Sequence, residues 1–521
     1  MVAQLDAIEG GLAGIAIARR LRVVAWVRRH PLVVCLPVQA VLLFTDLGRL
    51  PMWGDEQSSL ARALGAAPTD TVHPSLYFLL LHGWLSALCG GPCIVGARAL
   101  SALFVLAATV AIDRCWLRAL DQRSRTWFLI LWALSPALLL YGRMARSYSL
   151  QVLLACLALY AGGRYARRAA LPSLLTYVAA TTALLHTHYL PGIAVVAGIS
   201  TAMGWRAVMR RQPVALWPVV VSLVVIGLAF APWLPRFTGA VERVAQHGGY
   251  HVVGRVVDAA LALAFTVVSF SVGESLWPWM VAALLALAPA LAVVLLRGVR
   301  AAPVWLGFVA PAAVVGFIGA YQWVSYAFVA PRLLFLLPFY LLLLVHGARR
   351  LAGFGTAVCT GVALLSLGGI AAYFEQTGFL NKAYVLPTET IANAIRDSSD
   401  DGSVTVILDH YSSDLSAVAA LLPRQARVLY IADPSSAAQA IGLSSEPGLR
   451  QVWFVHSAHD VSPQHWNGLV NDAFARRFSV RRTEFVPYSA LDRWLMHLAG
   501  WRHRPHYAIE LMDMRYAGEG G

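Results

Sequence analysis

The chain reads as a polytopic α-helical membrane protein of about eleven transmembrane helices plus interfacial helices, with an α/β domain at its C-terminal end. Three observations carry this expectation. Hydrophobic residues fill 58% of the 521 positions and charged residues only 13%, and mean hydropathy is +0.63, too apolar for a soluble globular chain. The apolar residues fall into runs of membrane length. After Phe374 the runs shorten and Asp397, Asp400, Asp401 and Asp409 appear, which divides the chain into a membrane part, 1–374, and a water-soluble part, 375–521.

The net charge of +14 does not mark a nucleic-acid binder, because the basic residues are nearly all arginine and sit in short clusters between apolar runs. Clusters such as Arg19, Arg20 and Arg22, Arg164, Arg167 and Arg168, or Arg349 and Arg350 mark the cytoplasmic side. With every cluster inside, spans fall near 31–48, 98–117, 126–141, 148–163, 172–187, 190–204, 214–234, 277–296, 303–321, 333–348 and 353–374. This sets the N-terminus inside and the C-terminal domain outside. The segment 255–275 is apolar but would break the charge rule as a span, so it reads as interfacial or re-entrant; 74–88, with Tyr77, Phe78, His82 and Trp84, reads as lying along the outer surface. No small-residue cleavage pattern follows the first run, which is therefore a permanent anchor. The six cysteines form no disulfide framework, although Cys89 and Cys93 flank Gly90-Gly91-Pro92 closely enough for a local disulfide.

Beyond the membrane, Val404–Leu408, Arg427–Ile431, Val452–His456 and Phe478–Val486 read as strands. They alternate with helical patterns near 388–397, 411–422, 435–442 and 462–476, the signature of a small α/β domain. It has no glycine-rich phosphate loop, and its role reads as support, acceptor docking or partner contact.

The chemistry-bearing residues gather in the loops placed outside. Trp53-Gly54-Asp55-Glu56 follows the first span, and Asp70, His73, Tyr141, Arg143, Arg146, Tyr148, His188, Tyr189, Glu274, Gln322 and Arg332 are set on the same side. A carboxylate can take the proton of an attacking hydroxyl, and arginines offer planar, permanently charged donors to phosphate oxygens. Asp55 and Glu56 equally suit the first turn of a helix, where acids are favoured. Arg143 and Arg146 equally suit interface anchors. His186 and His188 lack the further ligands a zinc site requires.

Trp53-Gly54-Asp55-Glu56, then His73-Pro74-Ser75-Leu76-Tyr77, Ser135-Pro136, Tyr141-Gly142-Arg143-Met144-Ala145-Arg146-Ser147-Tyr148, His186-Thr187-His188-Tyr189 and Pro331-Arg332-Leu333-Leu334 run in order along the chain. Together they resemble the membrane-embedded GT-C glycosyltransferases of family 39, the bacterial relatives of protein O-mannosyltransferases and lipid A aminoarabinose transferases. The chain departs from that pattern in having Pro74-Ser75 for a Pro-Pro pair, and Lys382 is its only lysine. The resemblance implies a bacterial inner-membrane transferase that moves a sugar, with inversion, from a polyprenyl-phosphate donor to an envelope glycan, lipid or protein acceptor. It implies Asp55 as catalytic base with Glu56 beside it, and Arg332, Arg143, Arg146 and Tyr148 at the donor phosphate. His73, His188 and Tyr189 would contact substrate. No cofactor, no resident metal and no nucleic-acid partner are implied; the lipid phosphate is the leaving group. Two other classes fit the composition, a flippase for a lipid-linked sugar and a non-catalytic membrane scaffold. A flippase would carry paired charges at mid-span and inverted repeats.

Overall fold

The computed structural model describes residues 26, 30–65, 74–91, 93–168, 170–209, 211, 216–247, 256–300, 306–323, 330–380, 382–385, 388–398, 404–409, 415–423, 425–431, 433–457, 466–485 and 509–517. Asp70 and His73 lie outside the described residues, as does the Gln322 side chain.

The membrane part consists of α1 (Pro31–Phe44), α2 (Gly54–Ala63), α3 (Leu76–Leu88), α4 (Ile94–Cys115), α5 (Gln122–Ala133), α6 (Pro136–Arg143), α7 (Tyr148–Arg168) and α8 (Leu171–Leu185). It continues through α9 (Tyr189–Met209), α10 (Trp217–Phe230), α11 (Leu234–His247), α12 (Val256–Val272), α13 (Pro278–Val299), α14 (Leu306–Trp323), α15 (Leu337–Arg350) and α16 (Ala352–Phe374). Proline stands in the first two positions of α1, α6, α8, α10, α13 and α15, where its missing N–H costs nothing and its fixed φ starts the helix. Small residues let helices close: a Cβ on Gly298 would sit 2.0 Å from the Leu343 carbonyl oxygen, and one on Gly347 1.8 Å from that of Val294. Thus α13 and α15 meet backbone to backbone, as membrane helices do where no hydrophobic drive pulls them together.

The count of about eleven spans is not reached by length and composition. Among the described residues six helices are long and apolar enough to cross a membrane, or seven if the bent pair α5 and α6 is one span. Helix α1, with 14 residues, is about 21 Å long against a hydrocarbon core of about 30 Å. The expected span 126–141 breaks at Ser135-Pro136, where α5 and α6 meet at 49°, because proline disfavours the helical conformation of the residue before it. Helix α12 is packed into the bundle against α6, α14 and α16, with Ala262, Phe265, Phe270 and Val272 buried, and does not lie on the surface. Helix α3 buries Tyr77, Leu81 and Leu85 and leaves Leu79, Leu80 and Leu88 exposed, one covered face and one free. Cys89 and Cys93 are both free thiols.

The sheet of the C-terminal region has five strands: β1 (Thr405–Asp409), β2 (Arg427–Ile431), β3 (Gln451–Ser457), β4 (Phe478–Phe485) and β5 (Ile509–Tyr516). Their order is β2-β1-β3-β5-β4, with β2, β1 and β3 parallel and β5 antiparallel to both neighbours. Helices α17 (Thr388–Asp397) and α18 (Ser416–Leu421) cover one face, and α19 (Pro434–Leu443) and α20 (Trp466–Ala475) the other. The strand β5 had no counterpart in the sequence reading. Its apolar residues do not alternate strictly, because β5 is buried on both faces through Leu511 on one side and Met512 and Met514 on the other.

Helix α18 packs against α2, so the sheet domain sits at the end of the bundle that carries Asp55. The chain leaving α16 also crosses that end. Gln376 Nε2 donates to the Arg49 carbonyl at 3.3 Å, and Tyr384 meets Trp53 edge to face at 5.2 Å.

Candidate active site at the first-loop carboxylates

The loop after α1 is built on one buried arginine. Arg98, in the first turn of α4, donates from Nη1 to the carbonyls of Leu47 (3.0 Å) and Leu50 (2.9 Å) and from Nη2 to that of Pro51 (3.0 Å). Its Nε and Nη2 also reach Glu56 Oε1 and Oε2 at 2.9 and 2.7 Å, a two-pronged ion pair. Glu56 takes two further bonds, from the Trp53 N–H at 3.2 Å and the Ala145 N–H at 2.8 Å. Four donors fill a carboxylate's acceptor capacity. With side chains 5% and 2% exposed, Arg98 and Glu56 form a closed, desolvated unit that joins α2, α4 and the loop after α6. Glu56 thus sits at the helix start, as its capping role predicts, and its oxygens are already committed.

Asp55, one residue earlier, points elsewhere. Its side chain is 43% exposed, and its Oδ2 lies 3.3 Å from Nη2 of Arg146, which is 7% exposed. Arg146 is held independently of that carboxylate, by the Asp55 main-chain oxygen and Ser59 Oγ, each at 3.2 Å, and its guanidinium lies 5.9 Å from the Tyr148 ring centre. The charges of Arg146, Asp55 and Arg332 all act on the Tyr148 hydroxyl. The segment Ala330–Leu336 that carries Arg332 is a 3-10 turn, tied to α7 by Gln151 Nε2 donating to the Pro331 carbonyl at 2.8 Å. The structure therefore brings Asp55, Arg146, Tyr148 and Arg332 into one electrostatic neighbourhood.

Arg143 stands apart from that group. Its Nη2 and Nη1 donate to the carbonyls of Thr45 (2.7 Å) and Leu42 (3.4 Å), and its guanidinium covers the Tyr373 and Phe374 rings at 5.2 and 5.5 Å. It lines a small cavity with Glu56, Arg98, Trp53, Tyr373 and Tyr384, behind the Glu56–Arg98 pair. Arg143 and Arg146, both expected at the donor phosphate, thus have different partners in the fold.

His188 closes the turn between α8 and α9 and Tyr189 begins α9, and the Trp233 indole donates to the Tyr189 hydroxyl at 2.7 Å. The His186 carbonyl accepts from the Leu76 N–H at 3.0 Å, which fastens this turn to the start of α3. Two functional-looking residues were overlooked as a unit. Tyr141 donates to Glu274, whose Oε1 also accepts from Ser269 Oγ at 3.1 Å. Gly273 permits the approach: with φ +85° it passes Pro136 so closely that a Cβ would lie 2.5 Å from the proline Cβ. Arg98 was legible only as the start of a span, yet an arginine in an otherwise apolar first turn demands an acid partner. Among the described residues, no three His, Cys, Asp or Glu side chains gather as a metal-binding group.

The fold is similar to that of a solved membrane protein. ArnT from Cupriavidus metallidurans, solved bound to undecaprenyl phosphate, superimposes with a TM-score of 0.54 over 94% of this chain and 99% of its own, at 13% identity. An oligosaccharyltransferase from Archaeoglobus fulgidus, solved with zinc and sulfate, gives a TM-score of 0.48 over 81% of this chain and 67% of its own, also at 13% identity. No protein-family model and no curated protein sequence matches the chain. The likeness to ArnT is one of fold.

Proposed function

We propose that the chain is a membrane glycosyltransferase that moves a sugar from a polyprenyl-phosphate donor to an acceptor hydroxyl or phosphate, with inversion and with Asp55 as base. The observation that carries this reading is the split between the two adjacent acids: Glu56 is buried and saturated, whereas Asp55 is half exposed beside a buried, independently anchored Arg146. The fold shared with ArnT, which was solved with undecaprenyl phosphate, supports a lipid-phosphate donor.

In this mechanism an acceptor O–H attacks the anomeric carbon and its proton passes to an Asp55 carboxylate oxygen. The bond from the anomeric carbon to the lipid phosphate breaks, and the electron pair leaves with the phosphate. Protonation of Asp55 removes the negative charge that had been balancing Arg146. Because Ser59 Oγ and the Asp55 carbonyl keep Arg146 in place, its positive charge then faces the phosphate as negative charge develops there, together with Arg332 and the Tyr148 hydroxyl. Proton transfer and leaving-group stabilisation are thus coupled through one guanidinium. Arg143 and the Glu56–Arg98 pair position the loop, and His188 and Tyr189, with His73, remain assigned to substrate contact.

The test is Asp55→Asn, which keeps the shape and removes the base. Sugar transfer from a polyprenyl-phosphate donor in proteoliposomes should fall about 10²- to 10⁴-fold, with the thermal unfolding curve unchanged. Transfer at the wild-type rate would sink the assignment. Loss of one envelope sugar in a deletion strain, read by mass analysis, would identify donor and acceptor.

A further inference from the structure

Two of the cysteines stand together and take no part in the transfer chemistry. Cys89 ends α3 and is exposed, and Cys93 caps the start of α4 and is half-buried. Gly90 supplies the left-handed residue that closes α3, with φ +63°, and the N–H groups of Cys89 and Gly90 both donate to the Leu85 carbonyl, at 2.9 and 3.1 Å. Trp84 Nε1 donates across to the Gly96 carbonyl at 2.8 Å. The end of α3 is thus fastened beside the start of α4.

The two sulfurs converge on Gly96. A Cβ there would lie 2.7 Å from Cys89 Sγ and 3.2 Å from Cys93 Sγ, so both sulfurs rest against the same bare Cα. Cys93 Sγ also accepts from the Gly96 N–H at 3.2 Å, and a hydrogen bond with Cys93 raises the Cys89 thiol above its ordinary value. The other cysteines are placed differently: Cys35, Cys156 and Cys359 are buried within helices, and Cys115 lies at the opposite end of α4. An oxidant arriving from solvent at the Asp55 end therefore meets Cys89 with Cys93 behind it.

What this pair could hold is the wall behind the proposed base. Leu81 and Leu85 of α3, Ala97 and Leu100 of α4 and Leu60 of α2 share one core cluster. His82 Nδ1 is hydrogen-bonded to the Ala63 carbonyl at the end of α2, at 2.7 Å, and α4 carries Arg98, the partner of Glu56.

We propose that Cys89 and Cys93 form a disulfide that staples α3 to α4 beside the helix that carries Asp55. That the pair meets an oxidising compartment rests on the transferase reading, which sets this end of the bundle outside. The oxidant is a small-molecule disulfide. Cys89 loses its proton and attacks one sulfur of that disulfide, forming a mixed disulfide and releasing the first thiol. Cys93 then loses its proton and attacks the Cys89 sulfur, so that the protein S–S bond forms and the second thiol leaves. The cysteines give up two electrons, and the oxidant is reduced to two thiols.

The full-length chain in lipid nanodiscs is equilibrated with oxidised glutathione, alkylated and read by peptide mass analysis. The peptide holding Cys89 and Cys93 should resist alkylation and weigh two hydrogens less than its dithiol, and should accept two alkyl groups once dithiothreitol is added. Hydrogen exchange reads the staple: the α3 amides should exchange about fivefold faster after reduction of the wild type, and at one rate in either buffer in Cys89→Ser. Free alkylation after oxidation, a separate glutathione on each cysteine, or α3 exchange indifferent to reduction overturns the proposal. None of these readouts uses sugar transfer, so the staple and the role of Asp55 fail separately.

Discussion

Helix α4 carries an ion pair near each end, about 22 Å apart, and the two ends put the same chemistry to different use. At one, Asp113, with its side chain 1% exposed, takes Nε and Nη2 of Arg125 at 2.8 Å each. At the other, Glu56 takes Nε and Nη2 of Arg98. Both acids are spent on architecture. The first end also carries a partly exposed acid, Asp121, but its partner Arg349 is 62% exposed, whereas Asp55 at the second end stands beside a buried arginine. The difference teaches that two adjacent acids can be told apart by their surroundings: Glu56 takes four donors from within the protein, whereas Asp55 is 43% exposed.

The largest break of this comparison is Arg98→Met. Glu56 would be left buried and uncompensated, and unfolding stability should fall by about 3–5 kcal/mol, with transfer lost alongside it. A double variant, Glu56→Leu with Arg98→Leu, should recover part of that stability in a denaturation series without recovering transfer, because the carbonyls of Leu47, Leu50 and Pro51 lose their donor. Equal stability of the single and double variants would show that the pair is not coupled. Arg146→Lys comes next: it keeps the charge but loses the fork that spans Ser59, the Asp55 carbonyl and the carboxylate. The transfer rate should drop roughly 10- to 100-fold while the unfolding midpoint stays near that of the wild type. At the opposite end Asp113→Asn leaves Arg125 partly able to reach water, its side chain being 24% exposed. About 1–2 kcal/mol of stability should go, and the rate per folded molecule should not change.

The smallest effect belongs to the sheet domain. Asp433 caps α19, and the backbone N–H of Ser436, followed by its hydroxyl, holds the carboxyl below its ordinary value of 3.8. A carboxyl lowered in the folded state contributes stability that is present above the unfolded value and disappears as pH falls through the folded one. Asp433→Ala should therefore lower stability slightly at neutral pH and flatten the acid limb of the pH–stability curve below about 3.8, as followed by far-UV circular dichroism. An unchanged acid limb would show that the cap is not formed in solution.

Where the helices lie was legible because apolar length and arginine clusters act locally along the chain. Ten of the eleven expected spans fall on single helices and the other on the broken pair α5 and α6, and β2 and α17 match to the residue. Whether each helix is long enough to cross was not legible, because the breaks at Ser135-Pro136 and the short α1 depend on packing. Asp55 and Arg146 were singled out by residue type and order. Their division of labour with Glu56 and Arg143 was not, since it depends on Arg98, distant in sequence and looking like an ordinary span start. The Tyr141–Glu274 pair was hidden for the same reason: it needs Gly273 to pass Pro136 at close range, and no local pattern announces that approach.

The contact between α18 and α2 carries a consequence in time as well as in space. The helix that bears Asp55 is made long before the element that seats against it, Ser416–Leu421. A ribosome completes the two far apart, so the bundle must hold its mouth partly bare until the sheet domain has folded. Contacts of such long sequence separation form late. The acid at the centre of the proposed chemistry reaches its final setting only after the chain through α18 has been made.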